Sequence, residues 1–547
     1  MSGPALSTWQ LPLRAWQADA FARWDATRVP DALIVATPGA GKTRFAARLA
    51  HALLAERRVD AVIAVVPREH LKRQVARAMA QAGIVLDHDL SNAAGALAAD
   101  VHGAVVTYQQ VAAAPGMYAR LVGARPRGTA VLLDEIHHAG DQASWGTALR
   151  DAFGRASFRV ALSGTPFRSD GMPIPFVTYR GGMSVADFTY DYATALRDGV
   201  CRALVFPLHG GEAEWISRDG EAMHASFDTG LARRHESERL RTALTQPNWV
   251  GDVLAKAHLR LLAVRAGGQR DAGGLVAAMN QEHALFIAAL MQRRLGIAPT
   301  IVVSDFEDAS RRINDFAQSR DPWIVAVHMV SEGVDIPRLR VGVFASNVVT
   351  EMYFRQFCGR FVRTTGAGAH EREAYVFVPD DHRIRSLAAR ITLDVRAAIK
   401  ERDDATDADG LAAATRAERS ADMGLYASIN ANATEGRTLD FGPLFNPAAY
   451  HAQAVAVPSG QSRPVPAPAP AGEPPPTHSE RKEHLRRAVA GLVAHVSSTF
   501  GVDHKLVHAT LNARCGGPVA TATAAELEQR RAVIMQWLAR RSYDGKR

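Results

Sequence analysis

One short stretch constrains this 547-residue chain more than any other. Asp31–Thr37 is an apolar run of strand type. Ala36-Thr-Pro-Gly-Ala-Gly-Lys-Thr43 follows it directly and opens a helix-forming run, Arg44–Leu54. A strand, a glycine-rich loop and a helix in that order make a phosphate-binding loop. Gly39 and Gly41, with Pro38 and Ala40 completing the turn, let main-chain amides wrap a phosphate at a helix N-terminus. Lys42 would reach the β- and γ-phosphates of a nucleotide, and the Thr43 hydroxyl would bind Mg2+. The strict pattern begins with glycine, and here the first position is Ala36.

Similar apolar runs recur, each followed by a helix-like segment. Ala61–Pro67, Ala104–Thr107, Ala130–Asp134 and Arg159–Ser163 continue a first series. Gly274–Met279, Pro299–Ser304, Trp323–His328, Val341–Ala345 and Ala374–Pro379 form a second. Rich in Val, Ile and Leu and without alternation, they read as strands buried on both faces of a parallel sheet. Strand and helix alternating twice over predicts an α/β chain with two doubly wound domains. The stretch 168–268 between them is less regular and carries turn signals such as His209-Gly210-Gly211, so the boundary falls near 205–245.

Val131-Leu-Leu-Asp-Glu-Ile-His-His138 supplies the second element that a nucleotide site needs. Three apolar residues ending in two acids place Asp134 and Glu135 at the carboxyl end of a strand beside the phosphate loop. Asp134 would hold Mg2+ through water, and Glu135 would orient and deprotonate an attacking water.

These residues resemble the DEAD/DEAH box of superfamily 2 helicases, with Ile136 where Ala or Cys is more usual; the restriction and phage-type DNA helicase branch is the nearest likeness. Other segments resemble that family's motifs in order. Arg14-Ala-Trp-Gln17 is similar to the upstream glutamine element, in which Gln17 would read the adenine edge. Val65-Val-Pro67 with Arg68 resembles motif Ia, and Val105-Val-Thr-Tyr-Gln109 resembles motif Ib. The likeness implies that Pro67, Arg68, Thr107 and Gln109 touch the phosphate backbone of one strand. Ala161-Leu-Ser-Gly-Thr-Pro-Phe-Arg168 looks like motif III, giving Ser163 and Thr165, together with His137, a part in coupling hydrolysis to movement. Val330-Ser-Glu-Gly-Val-Asp-Ile-Pro337 looks like motif V, implying nucleotide contacts for Gly333 and Asp335. Gln281 and Ser304 stand where motif IV and a strand-to-helix element would contact nucleic acid.

Gln356-Phe-Cys-Gly-Arg-Phe-Val-Arg363 matches the Q-x-x-G-R-x-x-R pattern of motif VI. Charge builds on the γ-phosphate oxygens in the transition state, and a guanidinium can neutralise it. The resemblance makes Arg360, Arg363 or both an arginine finger, a device contributing about 10³–10⁵ in rate. Three residues apart, the two are expected on one helical face, with Gln356 nearby. The likeness covers roughly residues 10–385.

The resemblance therefore implies two tandem RecA-like domains of the P-loop NTPase class, assigned to residues 1–205 and 206–385. A helical extension (386–445), a Pro/Ala-rich linker (446–479) and a small basic helical domain (480–547) would follow. Lys and Arg exceed Asp and Glu by 64 to 56, and the stretch 480–547 carries twelve basic against six acidic residues, most of that excess. Arg486, Arg487, Arg514, Arg530, Arg531, Arg540 and Arg541 are candidates for a phosphate-binding face; a protein partner is the other use for this tail. Cys201, Cys358 and Cys515 are far apart and suggest neither a disulfide framework nor a zinc site. No apolar run reaches membrane-spanning length and Met1–Thr8 has no signal-peptide pattern, so a reducing cytoplasm is expected.

The expected function is an ATP- and Mg2+-dependent helicase or translocase moving along nucleic acid, DNA ahead of RNA by family analogy. A motor subunit of a restriction or repair complex, a nucleotide-dependent switch without unwinding, and a clamp that has lost its ATPase are the alternatives. The intact set Lys42, Asp134, Glu135, Arg360 and Arg363 speaks against the last.

Overall fold

A computed structural model describes residues 5–137, 143–164, 174–180, 183–217, 219–303, 309–327, 336–364, 373–393 and 476–544. The chain divides into two compact units: Met1–Ala36, Gly41–Thr189 and Pro464–Arg547 form the first, Thr37–Ala40 and Tyr190–Arg463 the second.

The first unit is built on strands β1 (Asp31–Ala36), β2 (Ala61–Val66), β3 (Leu86–Asp87), β4 (Gly103–Thr107), β5 (Thr129–Asp134) and β6 (Phe158–Ser163), with a two-stranded ribbon, β7 (Tyr179–Arg180) and β8 (Met183–Ser184), and an edge strand, β9 (Phe188–Tyr190). The sheet runs β3-β4-β2-β5-β6-β1-β9. Strands β1 to β6 pair in parallel, with Val66 beside Thr107, Val65 beside Leu133, and Val35 beside Ser163. All six residues of β2 are buried, the burial that its unbroken Val/Ile/Ala run requires. Helices α1 (Ala15–Thr27), α2 (Lys42–Ala55), α3 (Glu69–Gln81), α4 (Tyr108–Ala113), α5 (Pro115–Gly123) and α6 (Ala143–Phe153) complete this layer structure. On α2 the buried set Phe45, Ala46, Leu49, Ala50 and Leu53 recurs at helical spacing, so one face meets the sheet.

The second unit opens with α7 (Tyr192–Arg197). Its strands are β10 (Ala203–Val205), β11 (Leu208–His209), a hairpin of β12 (Glu212–Ile216) and β13 (Ala222–Ser226), then β14 (Gly273–Ala278), β15 (Thr300–Val302), β16 (Trp323–Val327), β17 (Leu339–Ala345) and β18 (Glu373–Pro379). The sheet order is β10-β18-β17-β14-β16-β15, with β11 also on β18, and these pairings are parallel. Gly274 lies beside Trp323, and a Cβ there would stand 2.3 Å from the indole; only glycine leaves room for that buried ring. Helices α8 (Arg233–Thr245), α9 (Pro247–Ala266), α10 (Gln281–Leu295), α11 (Ala309–Gln318) and α12 (Glu351–Cys358) accompany the sheet. Each of the ten apolar runs overlaps a strand, and the two-sheet α/β architecture matches the tandem RecA-like expectation.

Three helices follow in the tail: α13 (His478–Phe500), α14 (His504–Cys515) and α15 (Ala524–Arg540). They close on Val489, Val493, Val496, Val507, Leu511, Ile534 and Trp537. The stretch read as linker, 446–479, lies outside the described residues up to 475. Its end departs from the expectation, because Thr477 caps α13 in a reciprocal capping box with Glu480, so His478 and Ser479 are already helical. The tail helices belong to the first unit. The start of α13 meets α3 and the β3 edge: Glu483 pairs with Arg73 (2.7 Å) and His88 (3.0 Å), Arg486 with Asp87 (2.9 Å), and Lys482 with Asp100 (2.7 Å). Of the helical extension (386–445), 386–393 are described and helical; 394–445 lie outside the described residues.

Candidate functional site

Strand order brings the chemistry of the first unit to one edge. Because β6 lies between β5 and β1, the segments leaving the carboxyl ends of β5, β6 and β1 are neighbours there. They carry Asp134-Glu135, Ser163-Gly164 and the glycine loop.

The loop has the backbone that its glycines permit. Gly39 and Gly41 have φ of 81° and 94°, in the region where L side chains are strained. A Cβ on Gly41 would also stand 2.8 Å from the Gln17 amide nitrogen. That nitrogen donates to the Gly41 carbonyl (2.9 Å), and the Gln17 carbonyl oxygen accepts from the Arg14 amide (2.8 Å). The buried Gln17 thus braces the loop and caps α1, a role beyond the adenine contact that the resemblance implies.

Lys42 begins α2. Its ammonium donates to the Ala36 carbonyl (3.2 Å) and pairs with Glu135 (3.0 Å). The other Glu135 oxygen accepts from the Gly164 amide (3.2 Å) and lies 3.6 Å from His137 Nδ1. His137 Nδ1 is in turn 3.0 Å from the Ser163 hydroxyl, both residues being buried. Burial alone would raise the Glu135 carboxyl, but Lys42, His137 and the Gly164 amide hold it well below the usual carboxylate range. Glu135 also has φ of 47°, a left-handed conformation that costs a non-glycine residue roughly 1–3 kcal/mol. The Tyr108 hydroxyl donates to the Asp134 carbonyl (2.8 Å) and ties β4 to this edge. Tyr108 stands inside the segment read for nucleic-acid contact, and nothing in its spacing signals this bracing.

The residues present fit a nucleotide phosphate with Mg2+. The left-handed glycines shape a cradle of amides, the ammonium of Lys42 already holds two oxygens, and the Thr43 hydroxyl with the Asp134 carboxylate is a hard-oxygen donor pair suited to that ion.

Of the expected nucleic-acid contacts, Pro67 ends the β2 segment and the exposed Arg68 caps α3. Thr107 is buried and caps α4: its hydroxyl accepts from the Gln110 amide (3.1 Å), while Gln109 beside it is exposed. In the second unit, Gln281 is exposed at the start of α10. Thr165, Ser304, Gly333 and Asp335 lie outside the described residues.

The arginine segment corrects one expectation. Helix α12 carries Gln356 and ends at Cys358, with Gly359 as its cap. Arg360 follows in a turn, and Arg363 is extended, bridged antiparallel to Cys201. The two arginines therefore do not share a helical face; the helix ends before either is reached. Arg360 is buried and Arg363 partly so.

The tail arginines are corrected as well. Arg530 is buried, donating to the Gly516 carbonyl (2.8 Å) and Asn512 (3.0 Å), and Arg486 is held by Asp87 and Asp89. Both are committed inside the unit, so a phosphate-binding face of all seven is not formed. Arg531, Arg540 and Arg541 are exposed. Among the described residues no helix is long and apolar enough to cross a membrane.

A family model described as "Type III restriction enzyme, res subunit" matches residues 10–168. Uncharacterized protein Rv2917 of Mycobacterium tuberculosis is 37% identical, the alignment covering 98% of this chain and 95% of the relative. Uncharacterized protein ML1624 of Mycobacterium leprae is 37% identical over 96% of this chain and 94% of its own length. Among solved structures, a fragment assigned to an HsdR subunit of a type I restriction enzyme from Vibrio vulnificus YJ016 is similar, with a TM-score of 0.47, 17% identity, and coverage of 70% of this chain and 67% of that one. S. cerevisiae Dbp5 bound to RNA and ADP BeF3 gives a TM-score of 0.44, 13% identity, and coverage of 70% and 87%. Matched along nearly their whole length at 37% identity, the mycobacterial proteins and this chain belong to one family, and its residues 10–168 fit the restriction-subunit family model.

Proposed function

We propose that this protein hydrolyses ATP with Mg2+ and uses the cycle to move along one strand of nucleic acid, DNA in preference to RNA. The observation that carries the reading is the Lys42–Glu135 pair at 3.0 Å, set between the glycine loop and the Gly164 amide. Gly39, Gly41 and Lys42, with Pro38 and Ala40, would hold the phosphates, and Thr43 and Asp134 would hold Mg2+, which when bound neutralises phosphate charge. Glu135, kept ionised by Lys42, is placed to take a proton from the attacking water. A phosphate arriving at the loop competes for Lys42 and frees Glu135 for that task. Arg360 and Arg363 would meet the charge that builds on the transferred group, with Gln356, Gly333 and Asp335 assisting at the nucleotide. His137 and Ser163, with Thr165, would relay the state of Glu135 to the strand contacts at Pro67, Arg68, Thr107, Gln109, Gln281 and Ser304. Contacts of that kind, mainly to phosphates, give little sequence preference.

A second reading is favoured by the match of residues 10–168 to the type III restriction subunit: the chain as the motor of a restriction or repair complex, whose cleavage activity would lie in a partner. Steady-state ATP hydrolysis without polynucleotide, and with single-stranded DNA, duplex DNA or RNA, tests both. Stimulation by one of them is expected and names the track. Flat, low hydrolysis in all four conditions would overturn the motor reading for the isolated chain and leave a switch or a subunit silent without its partner.

A further inference from the structure

The second unit contains an arginine that no motif claims. Arg202 heads the apolar run Arg202-Ala-Leu-Val-Phe206 and is 1% exposed. A guanidinium is rarely buried unless its hydrogens find acceptors. Here main-chain carbonyls serve the two terminal nitrogens: Nη1 donates to Leu339 (2.9 Å) and Phe361 (3.4 Å), and Nη2 to Pro337 (3.2 Å). Pro337 closes the motif V segment and Leu339 begins β17. Phe361 stands between Arg360 and Arg363.

The main chain around Arg202 reinforces the same join. Its amide donates to the Val362 carbonyl (2.7 Å), Cys201 is bridged antiparallel to Arg363, and the Thr364 hydroxyl donates to the Val200 carbonyl (3.3 Å). The Arg202 carbonyl accepts from the Tyr192 hydroxyl (2.6 Å), which anchors the segment to α7. Residues 200–202 are therefore a splint along 362–364, and the guanidinium crosses from that splint to the end of motif V. Since helix α12 ends before Arg360, the arginine segment has no helix to hold it, and this splint does so instead.

We infer that Arg202 is a positioning residue for phosphoryl transfer: it fixes the main chain that carries Arg360 and Arg363 and locks it to the end of motif V. The inference rests on the ATPase reading above. A lysine at this position keeps the charge but has no planar fork to reach carbonyls on two segments at once. A displacement of about 1 Å in a catalytic group can cost about 10²-fold in rate.

The test compares the wild-type chain with Arg202→Lys, Thr364→Val and Arg239→Lys. Arg239 is an equally buried arginine whose carbonyl partners, Ser226 and Thr229, lie away from both segments. Thermal melting, ATP binding, and kcat and KM of polynucleotide-stimulated hydrolysis are measured for each. Arg202→Lys is expected to keep ATP binding and KM within about twofold while kcat falls about tenfold or more, the signature of an interaction made in the transition state. Arg239→Lys is expected to lower the melting temperature with kcat unchanged. Thr364→Val, at the partly exposed end of the splint, is expected to lower kcat about threefold at unchanged KM, and it carries the test alone if Arg202→Lys does not fold. A folded Arg202→Lys with wild-type kcat, or wild-type kcat in Thr364→Val when the lysine variant does not fold, would overturn this inference alone. No hydrolysis by the wild-type chain in any condition would overturn the ATPase reading and this inference with it.

Discussion

At the carboxyl end of β5, the Glu135 carboxylate meets Lys42, the Gly164 amide and His137. Toward the β3 edge of the same sheet, the Asp100 carboxylate meets Lys482, His478 and the Ala524 amide, and Glu483 meets Arg73, His88 and Arg487. Partner count and charge are alike in the two places; what differs is the backbone beneath. Glu135 is held in a left-handed conformation beside a partly exposed glycine loop, and its ammonium partner also holds the Ala36 carbonyl. Asp100 accepts from the His478 and Lys482 side chains in the first turns of α13 and from the Ala524 amide that opens α15, so its charge joins two helix starts to the sheet. Strain and an open side mark an ion pair that can exchange partners. Helix starts and long sequence separation mark one that fastens.

The largest effect that separates the two is Glu135→Gln. We expect ATP binding to persist and kcat to fall by about 10²–10⁴, the usual contribution of a positioned general base. Nucleotide binding by calorimetry beside steady-state hydrolysis checks this, and turnover within threefold of wild type would sink the assignment of Glu135. Hydrogen exchange in α13 and α15 should be unchanged in this variant, because the tail cluster shares no partner with it.

Asp100→Ala should do the reverse. It removes three donors' acceptor and leaves the buried Lys482 ammonium without that carboxylate, a loss of roughly 2–4 kcal/mol from tail docking. Amide exchange in the first turns of α13 and α15 should rise accordingly while hydrolysis in the first minutes stays measurable. Unaltered protection would show that apolar packing, and not this cluster, holds the tail.

Acid probes the same fastening in the wild-type chain. Burial would raise the Asp100 and Glu483 carboxyls, but hydrogen bonds from His478, Lys482 and Ala524 to the first, and from His88 with the charges of Arg73 and Arg487 on the second, hold both low. A carboxyl lowered in the folded state stabilises fully above its unfolded value, near pH 4, and that stabilisation is lost as pH falls through the folded value. Tail protection, corrected for intrinsic exchange, should therefore be flat from pH 7 to about 5 and decline below pH 4. A decline already complete at pH 5 would mean that another group governs docking.

How much of this was legible in the sequence follows from the same contrast. Ten of the fourteen strands in the two main sheets were readable because a strand buried on both faces is an unbroken apolar run, and the glycine loop because its chemistry is local. The hairpin β12–β13 was not: Glu212–Ile216 alternates exposed and buried residues over five positions only, too short to stand out from turns. Helices α8 and α9 also lay inside the stretch read as irregular. Asp134 and Ser163 were readable because they end strands, Glu135 because it follows one directly, and Lys42 because it closes the glycine loop. Tyr108 and Arg202 were missed because each acts through carbonyls distant in sequence, and no spacing records that. The helical face expected for Arg360 and Arg363 failed because α12 stops at Cys358, and Gly359 after it keeps a right-handed backbone (φ of −58°), so no left-handed glycine stop announced that end. The docking of the tail escaped for a general reason: complementary charges nearly four hundred residues apart, such as Asp100 and Lys482, look like ordinary surface charges until the fold pairs them.

The smallest expected effect sharpens the comparison most. Glu483 binds Arg73, His88 and Arg487, but the Arg487 side chain is 74% exposed and sits one turn along the same helix. An exposed i,i+4 pair contributes only about 0.3–0.5 kcal/mol. Arg487→Ala should therefore change tail protection about twofold, far less than Asp100→Ala, and the change should vanish in high salt, since exposed charges are screened. If Arg487→Ala instead loosened the tail as much as Asp100→Ala, the number of charges and not their burial would set docking. The distinction between a fastening cluster and an exchangeable one would then have to rest on the backbone strain at Glu135 alone.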